Sequence, residues 1–464
     1  MSVNYVTTGD PELDDLLGGG FRRGCFIAVF GEPGSGKTIF AAQIAFMNAL
    51  LNGKRVLFIS TMEDEARFLS FMKSIGFDFE EIKKMGLFRY VHLLMLEAKD
   101  VVILMSETFA KWAEEFKADI VIVDGMHRIF TDKMGFEGLP LGIYQITSVL
   151  NATLIMLGDV LEDELDWVGL YADVILRLQA EYEGEVVNRY LEIRKVRTAP
   201  LHVVRIPYTI SWGEGLKFLV PKPFPPKELV RKSYFTGCTS ADKAIGPILS
   251  GTQMLIINEP GTAISRHIYA YLASLILNNG LKVGFLNYSG LLSRAYHRMR
   301  DVITSYGGDP KALDERVVFE EGFNPTRVSL TAILDRETRV IVRTNPDIVI
   351  MEGYGILYRI FRDKRMLISL QYNSALDFRS KGIIGVRFMT SKFPEEDVPA
   401  TEFSDLVVLD RLEISENKMY HVYHIIRPLK GEPFICRGEE LDSCFNKVIP
   451  RLTGVRHAEV RGSE

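Results

Sequence analysis

Two stretches of this chain spell nearly the same loop. GEPGSGKT runs from Gly31 to Thr38, and NEPGTAIS runs from Asn258 to Ser265. The same offset of about 227 residues relates NGKRVLFIS to NGLKVGFLN, and, within a residue, ADIVIVDGMHRIF to PDIVIMEGYGILY, where Asp124 meets Glu352. TGDPELDDLLGGG and TGCTSADKAIGPI open the two copies, and ADVILRL is echoed by SDLVVLDRL near their ends. A repeat of this length is one domain written twice, not a solenoid of short units. Between the copies, VPKPFPPKEL carries Pro221, Pro223, Pro225 and Pro226, a composition that favours an extended, semi-rigid spacer. The expected plan is a first domain over 1–220, a Pro-rich linker over 221–232, a second domain over 233–436 and a tail over 437–464, polar and charged toward its end. Within each copy β-branched runs alternate with helical stretches. That pattern predicts an α/β fold, each domain a mostly parallel twisted sheet flanked by helices, with an antiparallel edge at the end of the first copy.

The first loop fits G-x-x-x-x-G-K-[ST]. The expected phosphate cradle is Gly31, Glu32, Pro33, Gly34, Ser35, Gly36, Lys37 and Thr38, whose backbone N–H groups turn toward phosphate oxygens. Lys37 would reach the β- and γ-phosphates and the Thr38 hydroxyl would meet Mg²⁺. The context agrees: CFIAVF reads as a buried strand and TIFAAQIAFMNALLNG as a helix ending at Gly53, with its N-terminal dipole on the anion. IVIVDG places Asp124 after an apolar strand, as a second metal ligand. FISTMEDEARFL places Glu63 and Asp64 at a strand-to-helix junction. Acids there can orient water against a γ-phosphate, or merely complement a helix dipole. Lys195 and Arg197 alternate on one strand face, where they can meet one anion or form an ordinary basic surface. His127, near Asp124, reads as structural.

Composition narrows the classes. Net charge is −5, with 47% hydrophobic and 25% charged residues, an ordinary globular balance with no global basic field. Four cysteines contain no C-x-x-C pair, which suggests neither a zinc site nor a disulfide framework and fits a reduced cytosol. The first residues show no signal peptide, and no stretch reads as a membrane span. A cytoplasmic protein without membrane contact is expected.

TGDPELDDLLGGGFRRGCFIAVFGEPGSGKT, FISTMEDEARFL, IVIVDG and RYLEIRKVRTAPLHVVRIPYTIS, in that order, resemble the KaiC-like ATPases of the RecA superfamily. The resemblance covers the first copy and implies two tandem RecA-like P-loop domains. It implies that Glu63 and Asp64 activate water, and that Lys195 and Arg197 reach the γ-phosphate of a neighbouring subunit. It also implies ATP and Mg²⁺ as cofactors and a homo-oligomer, a hexameric ring. One departure is LIMLGD, where Gly158 and Asp159 stand in place of a polar, hydroxyl-bearing sensor.

The second copy has lost chemistry at three places. Ile264 replaces Lys37, Ala263 replaces Gly36, and Gly290 and Leu291 stand opposite Glu63 and Asp64. Glu352 and Ser265 persist, and Arg427 and Lys430 lack the Lys-x-Arg spacing. The expected function is a regulatory ATP-binding protein that hydrolyses ATP slowly in its first domain, with a non-hydrolytic second domain and an unidentified protein partner. A DNA-acting motor or recombinase is the alternative. Against it stands DVLEDELDWVGLYAD, which carries six acids and no Lys or Arg and would repel a phosphate backbone, so a nucleic-acid partner is not expected. Trp167 and Tyr171 there could still stack on bases. An ATP-sensing scaffold without turnover stays open as well.

Overall fold

In the computed structural model, the apolar runs of each half line up as the central strands of a parallel sheet. Described are residues 5–93, 108–125, 139–159, 168, 170–197, 201–221, 231–290, 293–393, 398–415 and 418–454. The chain divides into two units, 1–220 and 221–464.

In the first unit we label β1 (Phe26–Gly31), α1 (Lys37–Asn52), β2 (Val56–Ser60), α2 (Glu65–Ser74), β3 (Phe88–His92), β4 (Ile120–Asp124), β5 (Thr153–Gly158), β6 (Val174–Glu183), β7 (Val186–Val196), β8 (Arg205–Ser211) and β9 (Gly215–Phe218). They form one nine-stranded sheet in the order β9-β8-β7-β6-β1-β5-β4-β2-β3. From β6 through β3 the neighbours are parallel, and β6, β7, β8 and β9 continue as an antiparallel edge. β1, β2, β4 and β5 are buried at every residue, as central parallel strands covered on both faces must be. One face packs under α1, whose Phe40, Ala41, Ile44 and Ala45 are inaccessible, and the other under Phe109, Ala113 and Ile146. α1 stops at Gly53, which takes the left-handed conformation of a helix C-cap.

The second unit contains β10 (Gln253–Asn258), α3 (Arg266–Asn279), β11 (Val283–Asn287), α4 (Arg294–Ser305), β12 (Val317–Gly322), β13 (Ile348–Glu352), α5 (Gly355–Ile360), β14 (Ile384–Thr390), β15 (Leu406–Ser415), β16 (Lys418–Arg427), β17 (Phe434–Arg437) and α6 (Glu439–Leu452). Its eight-stranded sheet runs β12-β11-β13-β14-β10-β15-β16-β17, parallel as far as β15 and antiparallel beyond. The loop-bearing strand sits between corresponding neighbours in both units.

Two expectations need correction. The segment from 437, read as a tail, contains α6, which buries Leu441, Phe445, Val448 and Ile449 in the second unit's core. Those spacings make one apolar helix stripe, so the segment folds as part of that unit through 454. The cysteine spacing suggested no disulfide, yet Cys238 and Cys444 are bonded, with Cα atoms 5.6 Å apart across 206 residues of sequence. The helix Thr239–Ile245 packs on α6 and brings the two sulfurs together. The inference of a reduced compartment from cysteine usage loses its support. No described helix is long and apolar enough to cross a membrane. The linker over 222–230, His127, Lys133, Trp167, Leu291 and residues 455–464 lie outside the described residues.

Candidate nucleotide site

The first loop leaves β1 at Gly31 and enters α1 at Lys37. A side chain at Gly31 would put its Cβ 2.3 Å from the Leu178 carbonyl of β6, so only glycine lets the two strands approach. Gly36, with φ at 97°, holds the left-handed turn that aims the following N–H groups into the loop. Ser35 is buried; its carbonyl accepts from the Tyr208 hydroxyl, and its Oγ has no hydrogen-bond partner. Pro33 and Gly34 are exposed at the tip. Glu32 turns back to Arg177, 3.4 Å away, and to the Ala180 N–H.

Lys37 folds across its own loop. Its ammonium donates to the Gly31 carbonyl at 2.7 Å and the Glu32 carbonyl at 3.1 Å, and pairs with Asp159 at 2.9 Å. Asp159 follows β5 and is the acid noted at the LIMLGD departure. Thr38 Oγ1 donates to Asp124 Oδ2 at 2.9 Å. Asp124 ends β4 beside Ser60 of β2, and burial pushes its carboxyl up to about 6, against the hydrogen bond from Thr38 and the nearby Lys37 charge. A hydroxyl and a carboxylate are hard oxygen donors. With a buried carboxylate ill at ease as a bare charge, this pair fits Mg²⁺, and the open loop fits a phosphate chain.

The two acids after β2 differ. Asp64 is the N-cap of α2: it accepts from the Arg67 N–H at 3.0 Å, which lowers its pKa, and lies 3.6 Å from the Arg67 guanidinium. Glu63 makes no such cap. Its carbonyl accepts from the Tyr90 hydroxyl at 2.8 Å, and its carboxyl is raised by burial first and by Asp64 second. It is also close enough to Asp124 to raise that carboxyl further.

Lys195 and Arg197 are not gathered with these groups. Lys195 is level with Ile175, which pairs with Ala28. Arg197 hydrogen-bonds Asp173 through backbone and side chain, and Asp173 in turn binds the Phe26 amide at the start of β1. Three to five strand residues, ~10–17 Å, therefore separate the pair from the Gly31 end of β1. Burial and the neighbouring Arg197 both lower the Lys195 pKa.

At the matching place in the second unit the chain closes on itself. The Asn258 amide donates to the carbonyls of Glu259 (3.2 Å) and Thr262 (2.8 Å), holding the loop as Lys37 does in the first unit. Ile264 packs against the core. Ser265 caps α3, and its own N–H donates to Asp410 Oδ2 at 2.7 Å. Asp410 is buried on β15 and pairs with His421 at 2.8 Å, which raises the His421 pKa. The sheet register sets Asp410 beside Asn258, where the first unit sets Leu178 beside Gly31. Glu352 ends β13 as Asp124 ends β4, but it accepts from Ser293 Oγ at 3.2 Å and the Ala295 N–H at 2.9 Å, at the start of α4. The Arg427 guanidinium donates to the carbonyls of Thr401 and Ser404. Sequence reasoning missed Asp410 and Tyr208. An acid inside the apolar run SDLVVLDRL was the available signal for the former.

A family model described as the KaiC ATPase matches residues 6–222. An Aeropyrum pernix protein of the UPF0273 group is 28% identical over 229 residues, covering 45% of this chain and 91% of the relative. Circadian clock protein KaiC2 of Synechocystis is 32% identical over 132 residues, covering 28% of this chain and only 23% of KaiC2. The DNA repair protein RadA of Aquifex aeolicus is 24% identical over 199 residues, 41% of each chain.

Proposed function

We propose that the first unit, matched over residues 6–222 by the KaiC ATPase family model, works as a KaiC-like ATPase domain of the RecA superfamily that binds ATP with Mg²⁺ and hydrolyses it at the boundary between two copies of the chain, while the second unit hydrolyses none. The observation that carries this reading is the division of the charged groups. Lys37, Thr38, Asp124 and Glu63 cluster at the carboxyl end of the sheet, and Lys195 and Arg197 lie toward the other end.

The loop amides and Lys37 would grip the triphosphate. Lys37 exchanges its contact with Asp159 for the phosphate chain. Thr38 and Asp124 would hold Mg²⁺, which when bound neutralises charge on the phosphate oxygens. Glu63, a carboxyl shifted toward neutrality by burial, orients the attacking water and takes its proton. Asp64 stays with its helix. Lys195 and Arg197, too far from their own loop, would serve the γ-phosphate of a neighbouring copy, so turnover needs assembly. In the second unit an apolar Ile264, the carboxylate of Asp410 at the helix N-terminus and Glu352 engaged at α4 leave no hydrolytic set.

A regulatory ATPase is favoured over a nucleic-acid motor by the acidic run from Asp159 to Asp173. The similarity to RadA is the argument for the motor, and tight, salt-dependent DNA binding at physiological ionic strength would reverse the ranking. Light scattering with and without ATP–Mg²⁺, coupled to phosphate release, tests the reading. Larger assemblies and slow turnover appearing together support it; turnover by a monomer counts against action between copies.

A further inference from the structure

The second unit has its own cleft outside the carboxyl ends of its parallel strands, where open α/β sheets bind ligands. It measures about 390 Å³ and is walled by Asn258, Thr262 and Ile264 of the altered loop and by Arg294, Arg298 and Arg359. The loop itself is a poor anion cradle, because the Ser265 N–H already serves the Asp410 carboxylate at 2.7 Å. The arginines are different. All three are exposed, and among the described residues none of their guanidinium groups makes a hydrogen bond or ion pair.

Their placement is costly without an anion. Arg294 is the first residue of α4, where the helix dipole disfavours a cation. Arg298 lies four residues on, on the same face, and like charges at that spacing repel. Arg359 comes from α5 on the other wall. The one carboxylate of the cleft, Glu352, is buried and accepts from Ser293 Oγ and the Ala295 N–H; Arg294 is near enough to lower its pKa but forms no ion pair with it. We propose that this cleft binds a small polyphosphate-bearing anion through the guanidinium groups of Arg294, Arg298 and Arg359, without hydrolysing it. The guanidinium fork matches phosphate oxygens in pairs, and the volume is that of a small-molecule site.

The test is equilibrium dialysis of the full chain carrying Lys37→Ala, with inorganic tripolyphosphate as the probe. One saturable site per chain is expected, weakened about tenfold or more by each of Arg294→Gln, Arg298→Gln and Arg359→Gln. Tripolyphosphate should also displace ATP from it. The same arginine substitutions with Lys37 intact should leave ATP binding at the first loop unchanged, which shows that the variants are folded. If Lys37→Ala fails to silence the first loop, two sites appear and the arginine substitutions remove one. No saturable binding of tripolyphosphate, a number of sites that the three substitutions leave undiminished, or a second-unit ATP site that tripolyphosphate cannot enter would overturn the proposal.

Discussion

The end of β1 and the end of β10 carry the same kind of loop into the same kind of helix, between corresponding neighbouring strands. They differ in what answers the positive end of that helix. In the first unit the loop closes on groups that a ligand can replace: a lysine resting on two carbonyls and one acid of intermediate exposure. In the second unit it closes on groups the fold supplies for good, a buried Asp410 bound to Ser265 and paired with His421. The sheet survives in both because its stability comes from inaccessible apolar strands, which the loop chemistry does not touch. A domain of this kind can therefore change the groups of its loop and keep its fold.

The sharpest way to break that contrast is to remove the lysine. Lys37→Ala should abolish phosphate release by the whole chain, while Ser265→Ala leaves it unchanged; equal turnover in the Lys37 variant would mean that hydrolysis belongs elsewhere. Next is the pair of acids. Glu63→Gln should slow turnover by ~10²–10⁴, the usual contribution of a positioned general base. Asp64→Asn should keep most of the rate, since Asn is also a good cap, and Asp64→Ala should cost only about 1 kcal/mol of stability. Comparable rate losses in both would assign Asp64 to the chemistry.

The second unit is tied by a covalent bond that the first lacks among its described residues. Reduction, or Cys444→Ser, should lower its unfolding free energy by ~2–5 kcal/mol while the first unit's transition stays in place. Differential scanning calorimetry separates the two transitions, and an unshifted second transition would contradict the tie.

The smallest effect concerns Asp124. Its folded carboxyl is raised to about 6, so the folded state holds a proton that the unfolded chain releases near pH 4. Stability of the ligand-free first unit should therefore fall as pH rises from ~4 to ~6 and stay lower above that. Asp124→Asn relieves the buried charge. It should raise the ligand-free melting temperature above pH 6, with a ceiling of about 3 kcal/mol for a shift of about two units, and change little near pH 4. With ATP–Mg²⁺ the sign should reverse, because a metal ligand is gone. Stabilisation by Asp124→Asn at pH 4 as large as at pH 8 would show that burial of charge is not the cause.

Much of this was legible in the sequence because it is local. Apolar β-branched runs, glycines at the turn and a 16-residue helix ending in Gly53 announce the strand, loop and helix of the first unit. What escaped is mostly long-range or geometric. Cys238 and Cys444 lie 206 positions apart in sequence, and no spacing rule joins them. Asp410 reaches Ser265 through the pairing of β15 with β10, which adjacent letters do not encode. Glu63 and Asp64 are alike on paper, and only the start of α2 makes one a cap. α6 was readable in principle: Leu441, Phe445, Val448 and Ile449 have helical spacing and Glu439 and Glu440 are the acids of a first turn, but Pro450 near its end disguised it.

The central claim is that one copy's loop and another copy's strand make one working site in the first unit. Mixing full chains carrying Lys37→Ala with full chains carrying Lys195→Ala/Arg197→Ala, each inactive alone, measures it directly. Phosphate release should return in the mixture, because some boundaries then join an intact loop to an intact Lys195–Arg197 pair. A mixture that assembles by light scattering and stays inactive would contradict it.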